Sequence, residues 1–469
     1  MSLRSLLAKL TFTLSLPAAL CASALAQPFS ETQLDTAKHL MDQALKSDLG
    51  YEIVESLTTE VGPRLAGTEA ESRARDWAIA MLKAQGFENV RNEPFPVPLW
   101  VRGVETAAIT SPYPQPLAIT ALGGSSSTGP DGVEAEIVAF KDLASVEALP
   151  DGSLKGKIIF IDEPMTRTQD GSGYGVAVRK RRTTAYEGVR LGAVAALIRS
   201  VGTSTHRFAH TGQMQRLTEG EREGVPTAAL SAPDADQLTR SLERGQPVRV
   251  KMVLTPETLP PSESGNVIGE IVGSEKPEEI ILVGAHLDSW DLGTGAVDDG
   301  AGVGIVTAAA KLVAAENPKR TIRVVLFGAE EVGLVGAKAY AEQHWDDLGN
   351  HILAAESDFG AGRIWRFETR VHESKLETAQ AIGTAMHGIG VGPGPNTAYG
   401  GPDLTYIRAA GVPVVTLKQD GLDYFDLHHT PNDTFDKIDP ADMAQNVAAY
   451  AAFIYLASEV DAHFRGDQE

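Results

Sequence analysis

The stretch Glu278–Leu334, which opens EEIILVGAHLDSW, passes through TGAVDDGAG and closes on RTIRVVLFGAEEVGL, decides the fold. Within it, Ile280–Gly284 and Thr321–Phe327 are short β-branched apolar runs, each followed by a helix-like segment. Such runs form strands buried on both faces of a largely parallel sheet. Polar groups just past the carboxyl ends of these strands converge on one crevice. His286, Asp288, Asp298, Glu330 and Glu331 all stand at or soon after those ends.

Two later segments complete the set: Asp358 in AAESDFG and His429 in DLHHTPNDT. Two imidazoles and several carboxylates then serve one centre, the ligand set of a two-metal hydrolase. Ligands of His and carboxylate type without Cys point to Zn²⁺, with Mn²⁺ or Co²⁺ as tolerated substitutes. His286 and Asp288 alternate along an extended chain, which suits an imidazole that binds metal and a carboxylate that orients it. Asp298 precedes the small and apolar run Gly300–Leu312, so it sits near a helix start, where a carboxylate can bridge two cations. Glu330 and Glu331 diverge as neighbours leaving a strand, so one can bind metal while the other faces substrate. Side by side and buried they would repel unless cations compensated them. A lone HxD or a lone EE carries little weight; the combination at strand ends, with an Asp and a His to follow, carries the metal reading.

The series HLD, VDDGAG, AEEVGL, SDF and HHTPNDT resembles the M28 co-catalytic zinc peptidases in motif, order and spacing. Beyond the catalytic part, VGPRLAGT (Val61–Thr68), GKIIFIDEP, YEGVRLGAVAALIRS, HTGQMQ and SGNVIGEIVGSEKPEEIILVGAHLDSWD resemble the carboxypeptidase Q (plasma glutamate carboxypeptidase) branch over nearly the whole mature chain. The resemblance implies an α/β zinc-peptidase fold with a mixed, mostly parallel central sheet flanked by helices. It also implies a smaller protease-associated domain that interrupts this fold. By the same resemblance His286 and Asp358 hold one of two zinc ions per chain, Glu331 and His429 hold the other, and Asp298 bridges them. Glu330 is then the general base, and Asp288 fixes the His286 imidazole. Of the tandem histidines only His429 has the family's Thr, Pro and Asp in register, and in an extended segment His428 would face the other way.

Residues 1–26 carry Arg4 and Lys9, an apolar run broken by Ser, Thr and Pro17, and then Ala24-Leu25-Ala26. This reads as a signal peptide cleaved after Ala26, too short and interrupted to span a membrane, and it marks a periplasmic or secreted protein. Leu20 before Cys21 argues against a lipid anchor. Cleavage removes the one Cys, so disulfides are excluded and stability rests on the core. The formal charge is −21, and the leader takes two positive charges with it. Such acidity argues against nucleic acid or an anionic membrane as partner and is otherwise the ordinary device of a soluble surface.

Helices are predicted for Ser30–Leu45, with a Ser30/Gln33 capping box, Tyr51–Thr59 and Glu69–Gln85, the last leading into a strand at Asn89–Val97. Peptidase-type sequence runs over residues 27–100 and 261–469. Between them, residues 101–260 turn to short strands with Gly, Pro and Ser turns, a helix at Tyr186–Gly192 before a strand at Ala193–Arg199, and a helix at Pro233–Arg244. Pro260–Gly265 is expected as the return linker, and Asp439–Glu459 as the final helix.

Three further residues are candidates for substrate. Arg64 either binds a substrate carboxylate or braces its turn. His210, near His206, either reaches the cleft from the insert or packs its loop, and Tyr399 either polarises the scissile carbonyl or packs against its two glycines. His39, His344, His351, His372, His387 and His463 are read as surface or structural. The expected activity is hydrolysis of short peptides, unblocked dipeptides above all. An aminopeptidase on longer peptides is the alternative, and less favoured are a non-catalytic receptor-like protein and an aminoacyl cyclotransferase on the same fold. The branch also implies a homodimer.

Overall fold

The structure, a computed structural model, describes residues 28–215 and 223–465. The expected leader and its cleavage at Ala26 lie outside the described residues. A mixed eight-stranded sheet forms the centre, in the order Glu88–Val101, Glu257–Ile271, Arg320–Phe327, Lys276–His286, His351–Glu356, Val414–Gln419, Ile364–Arg370 and Gly392–Pro393. The middle of the sheet is parallel from Arg320–Phe327 through Val414–Gln419, and both flanks begin with antiparallel pairs. Side chains alternate across it. Ile281, Val283, Ile322, Val324 and Leu326 enter one apolar layer, while Ile280, Leu282, Val325 and Phe327 enter the opposite one.

The first layer is closed by helices Glu31–Ala44, Leu49–Glu60, Ala301–Ala314 and Pro440–Glu459. Pro440–Glu459 is buried almost all round, and Asp439 starts it by accepting from the N–H groups of Ala441 and Asp442. At the other end of the chain the Ser30/Gln33 capping box forms with both of its hydrogen bonds. Among the described residues no helix is long and apolar enough to cross a membrane.

A second eight-stranded sheet, built from elements between Glu105 and Leu254, has its own core of Ile137, Phe160, Leu197, Leu238, Val250 and their neighbours. Here two expectations change. The helix expected at Tyr186–Gly192 is the last part of a 20-residue helix, Ser172–Leu191, which stops at Gly192 with φ +76°. The charged run Arg179–Arg182 hides its periodicity, because Lys180 and Arg181 are themselves buried. The expected linker Pro260–Gly265 is instead the middle of the strand Glu257–Ile271, paired along its length with Glu88–Val101. Pro98, Pro260 and Pro261 fall where the register shifts between Val97↔Ser262 and Leu99↔Leu259. Proline is tolerated at such a bulge and on an edge strand, where a missing N–H breaks no ladder bond. The second sheet is therefore joined to the first by a two-stranded ribbon.

Candidate metal centre

Three parallel strands end side by side, with His286 opposite Phe327 and Gly284 opposite Glu356. Each strand delivers its acid or imidazole at or just beyond its last paired residue, which is how a parallel sheet collects polar groups at one edge. Ala329 turns the second strand with φ +58° just ahead of Glu330 and Glu331. Asp298 and Asp299 lie in the turn Ala296–Gly300 with non-helical backbone angles, just ahead of helix Ala301–Ala314. Asp433 holds that turn, its carboxylate accepting from Val297 N–H at 2.6 Å and Asp298 N–H at 3.2 Å.

Asp298 faces two groups at once. Its Oδ1 is 3.2 Å from His286 Nε2, and its Oδ2 is 3.3 Å from His429 Nε2. On the first side Asp358 Oδ1 stands 3.6 Å from His286 Nε2; on the second, Glu331 Oε2 stands 3.0 Å from His429 Nε2. Each imidazole has its other nitrogen on a carbonyl: His286 Nδ1 on Asp288 O at 2.8 Å, His429 Nδ1 on Thr211 O at 3.2 Å. That arrangement leaves Nε2 of both rings directed at the carboxylates, as ligating histidines require.

The donor set fits divalent cations. Asp298 Oδ2 and Glu331 Oε1 are buried without a hydrogen-bond partner, and Asp298, Glu331 and His429 line a cavity of about 10 Å³. Burial disfavours charge on His286 and His429. Even so, Asp298 and Asp358 raise His286 well above the usual histidine value, and Glu331 and Asp298 bring His429 to about 9. A field that strong at both Nε2 atoms attracts cations. Burial, and then the charges of Asp358 and Glu331, push the Glu330 carboxyl well above the carboxylate range, toward the behaviour of a proton carrier.

Several expectations change in detail. Asp288 reaches His286 Nδ1 through its backbone carbonyl at 2.8 Å and with a carboxylate oxygen at 3.8 Å, and that carboxylate also accepts from the N–H groups of Glu330 and Glu331 at 3.0 and 3.3 Å. Its side chain therefore places the two glutamates. Arg64 braces its turn. It is fully buried and donates to the carbonyls of Leu287, Thr294 and Gly295 at 2.5 to 2.8 Å, bracing the loop before Asp298. His210 likewise packs its loop, its Nδ1 donating to His428 O at 2.8 Å. His428 does not turn away: its ring stacks on His429 with centroids 3.5 Å apart, and its Nε2 is 3.8 Å from Asp298 Oδ2. Alternation fails there because His429 has φ +63°. Tyr399 is 48% exposed, its hydroxyl 3.2 Å from Thr405 Oγ1 and Arg408 over its ring.

Reading the sequence missed Asp433, although it lies in the same HHTPNDT motif, and it missed Thr211 and Arg181 altogether. Arg181 comes from the helix Ser172–Leu191 of the second sheet's unit and places Nη1 3.3 Å from His429 Nδ1. No periodic or motif signal marks it within RKRR.

The profile described as Peptidase family M28 matches residues 266–454. Carboxypeptidase Q of Bos taurus is 33% identical over 433 residues, covering 91% of this chain and 89% of that protein, and the Homo sapiens protein matches at the same identity and coverage. The crystal structure of a peptidase M28 precursor from Shewanella amazonensis superposes with a TM-score of 0.91 at 49% identity, covering 93% of this chain and 99% of that one. A zinc aminopeptidase from Bacillus subtilis, at 19% identity and a TM-score of 0.64, shares the fold. With the strand-end carboxylates and imidazoles in place, the chain belongs to peptidase family M28, in its carboxypeptidase Q branch, and is a hydrolytic enzyme.

Proposed function

We propose that the chain is an exported exopeptidase that holds two zinc ions and prefers unblocked dipeptides. The observation that carries this reading is Arg181. The residue is only 5% exposed, its Nε has no hydrogen-bond partner, and its Nη2 donates to Tyr174 Oη at 2.6 Å. Among the described residues no carboxylate lies within ion-pair distance of it. A buried cation beside a centre that binds cations is costly unless an anion joins it. The terminal carboxylate of a short peptide fits that need, because the guanidinium fork matches its two oxygens.

The assignment of roles follows from the geometry above. His286 and Asp358 would hold one zinc, Glu331 and His429 the other, and Asp298 both. Zinc bound there would supply Lewis-acid polarisation of a water and of the scissile carbonyl. Glu330 takes the proton of the attacking water and returns it to the leaving amine. Asp288 keeps Glu330 and Glu331 in place through their N–H groups, and Tyr399 stands nearby as a donor to the carbonyl oxygen. Residues 101–260 are assigned to a protease-associated insert, which brings Arg181 to the centre. Export by cleavage near Ala26 and a homodimeric assembly belong to the same reading.

The test compares kcat/KM for a dipeptide, its N-acetyl form, its C-terminal amide and a tetrapeptide with the same N-terminal residue. The amide should be about 10–100-fold poorer than the free dipeptide, the worth of a hydrogen-bonded charge, and Arg181→Leu should erase most of that gap. Equal cleavage of the amide and the tetrapeptide would replace this reading with an aminopeptidase that acts on longer peptides.

A further inference from the structure

The two imidazoles that face Asp298 are held by different parts of the chain. His286 takes its Nδ1 partner from Asp288, two residues further along the same strand end. His429 takes its partner from the insert: Nδ1 lies on the Thr211 carbonyl at 3.2 Å, and the Thr211 N–H returns a bond to the His429 carbonyl at 3.0 Å. His210 adds the bond to the His428 carbonyl. A two-residue segment of the insert thus clamps both tandem histidines. It does so where His429 adopts φ +63°, a left-handed backbone that a residue with a Cβ keeps only when its surroundings enforce it.

Thr211 is in turn fixed through its hydroxyl. Oγ1 donates to Ala121 O at 2.8 Å and accepts from Arg102 Nη2 at 3.2 Å. Arg102, 12% exposed, then grips Asp291 with two bonds of 2.8 Å and Glu105 with one of 2.6 Å. Asp291 lies three residues past Asp288, in the loop that leaves the His286 strand. One guanidinium therefore ties together the entry strand of the insert, the clamp on His429 and the loop of the opposite half of the centre.

We infer that Arg102 and Thr211 are positioning residues for the His429 half of the metal centre, so that seating of the insert and cation binding at His429 and Glu331 are coupled. The inference rests on the reading of His429 and Glu331 as a zinc-holding pair. Coupling of this kind is reciprocal: whatever loosens the insert weakens the cation, and the cation steadies the insert. The His286 half contains its own orienting carbonyl and meets Arg102 through the Asp291 loop rather than at its ring, so the coupling falls mainly on the His429 half.

The test measures both zinc affinities by competition with a chromophoric chelator, on folded wild-type protein and on Arg102→Gln, Asp291→Asn, Thr211→Val and Thr211→Ser. The first three should weaken one zinc by about 10-fold or more and the other by clearly less, on the scale of losing an orienting partner of a ligating histidine. Thr211→Ser, which keeps the hydroxyl, should behave as wild type. Zinc loading should also slow amide exchange over residues 209–214 in the wild type and do so less in Arg102→Gln. Folded variants with both affinities unchanged, or with both weakened alike, overturn the inference. If Arg102→Gln does not fold, Asp291→Asn and Thr211→Val decide the matter, since neither removes the guanidinium. The underlying reading has its own control: His429→Ala must cost the wild-type protein one zinc, and a count unchanged by that substitution would remove the half-site itself.

Discussion

The His286 half of the centre and the His429 half look alike in chemistry and differ in construction. His286 and Asp358 leave adjacent parallel strands, and the carbonyl that orients the ring is two residues away. His429 lies in a loop between helix Tyr424–Leu427 and the Asp433 turn, and its orienting carbonyl comes from Thr211, 218 residues away in sequence. The first half is made by the sheet alone. The second also takes hydrogen bonds from the unit of the second sheet. The difference shows one carboxylate, Asp298, set between an imidazole oriented from its own strand end and one oriented from the second sheet's unit.

The largest test of this comparison is Asp298→Ala. Because each of its oxygens faces a different half, the variant should lose both ions by elemental analysis, with activity falling to background. Retention of one ion would mean that one half holds its cation without the bridge, and the His286 half is the expected survivor. Next come the adjacent glutamates. Glu330→Gln should keep both ions and lower kcat by at least about 10²-fold, the usual scale for a general base, whereas Glu331→Gln should lose the ion of the His429 half alone. Full metal in both variants together with an active Glu330→Gln would reverse the assignment.

A smaller effect separates the tandem histidines. His429→Ala should lose one ion. His428→Ala should keep the count at two while weakening the His429 half by less than about 10-fold, because His428 stacks on the ligand ring without the Glu331 contact, and the full loss of an orienting partner marks the upper end of such effects. Loss of an ion from His428→Ala alone would make His428 the ligand.

How far the sequence could be read follows the same division. The parallel strands, and the acids and imidazole gathered at their ends, were legible because continuous apolar runs and the residues just past them are local signals. The capping box at Ser30 and the Pro440–Glu459 helix were legible for the same reason. Arg181 and Thr211 were not: their roles exist only once the insert folds over the sheet, and a buried arginine inside RKRR looks like a solvated face. The long strand through Pro260 and Pro261 was illegible because prolines read as linker until the bulge that accommodates them is seen. His428 was misplaced because alternation assumes extended backbone, which φ +63° at His429 breaks.

The smallest expected effect concerns the stability of the sheet that carries the His286 half. His351 opens the strand that leads to Asp358, buried between the Tyr340 hydroxyl at 2.8 Å and the Asp347 carbonyl at 3.2 Å. Burial, and then the Arg323 charge beside it, hold its pKa down to about 3 against an ordinary value of 6.5. Between those two values the unfolded chain binds a proton that the folded chain refuses, so the folded state keeps its full stability above about pH 6.5 and loses it as pH falls toward 3. The expected loss by pH 5.5 is about 1.4 kcal/mol, the worth of one pH unit for one proton. Urea unfolding of zinc-stripped protein at pH 7.5 and 5.5, with wild type compared with His351→Gln, isolates this term because the histidines of the metal centre titrate in both. The wild-type advantage should shrink by that amount on acidification. An advantage that stayed constant would mean His351 accepts a proton in the folded state, and the sheet beneath the His286 half would then be as yielding as the insert that holds the other.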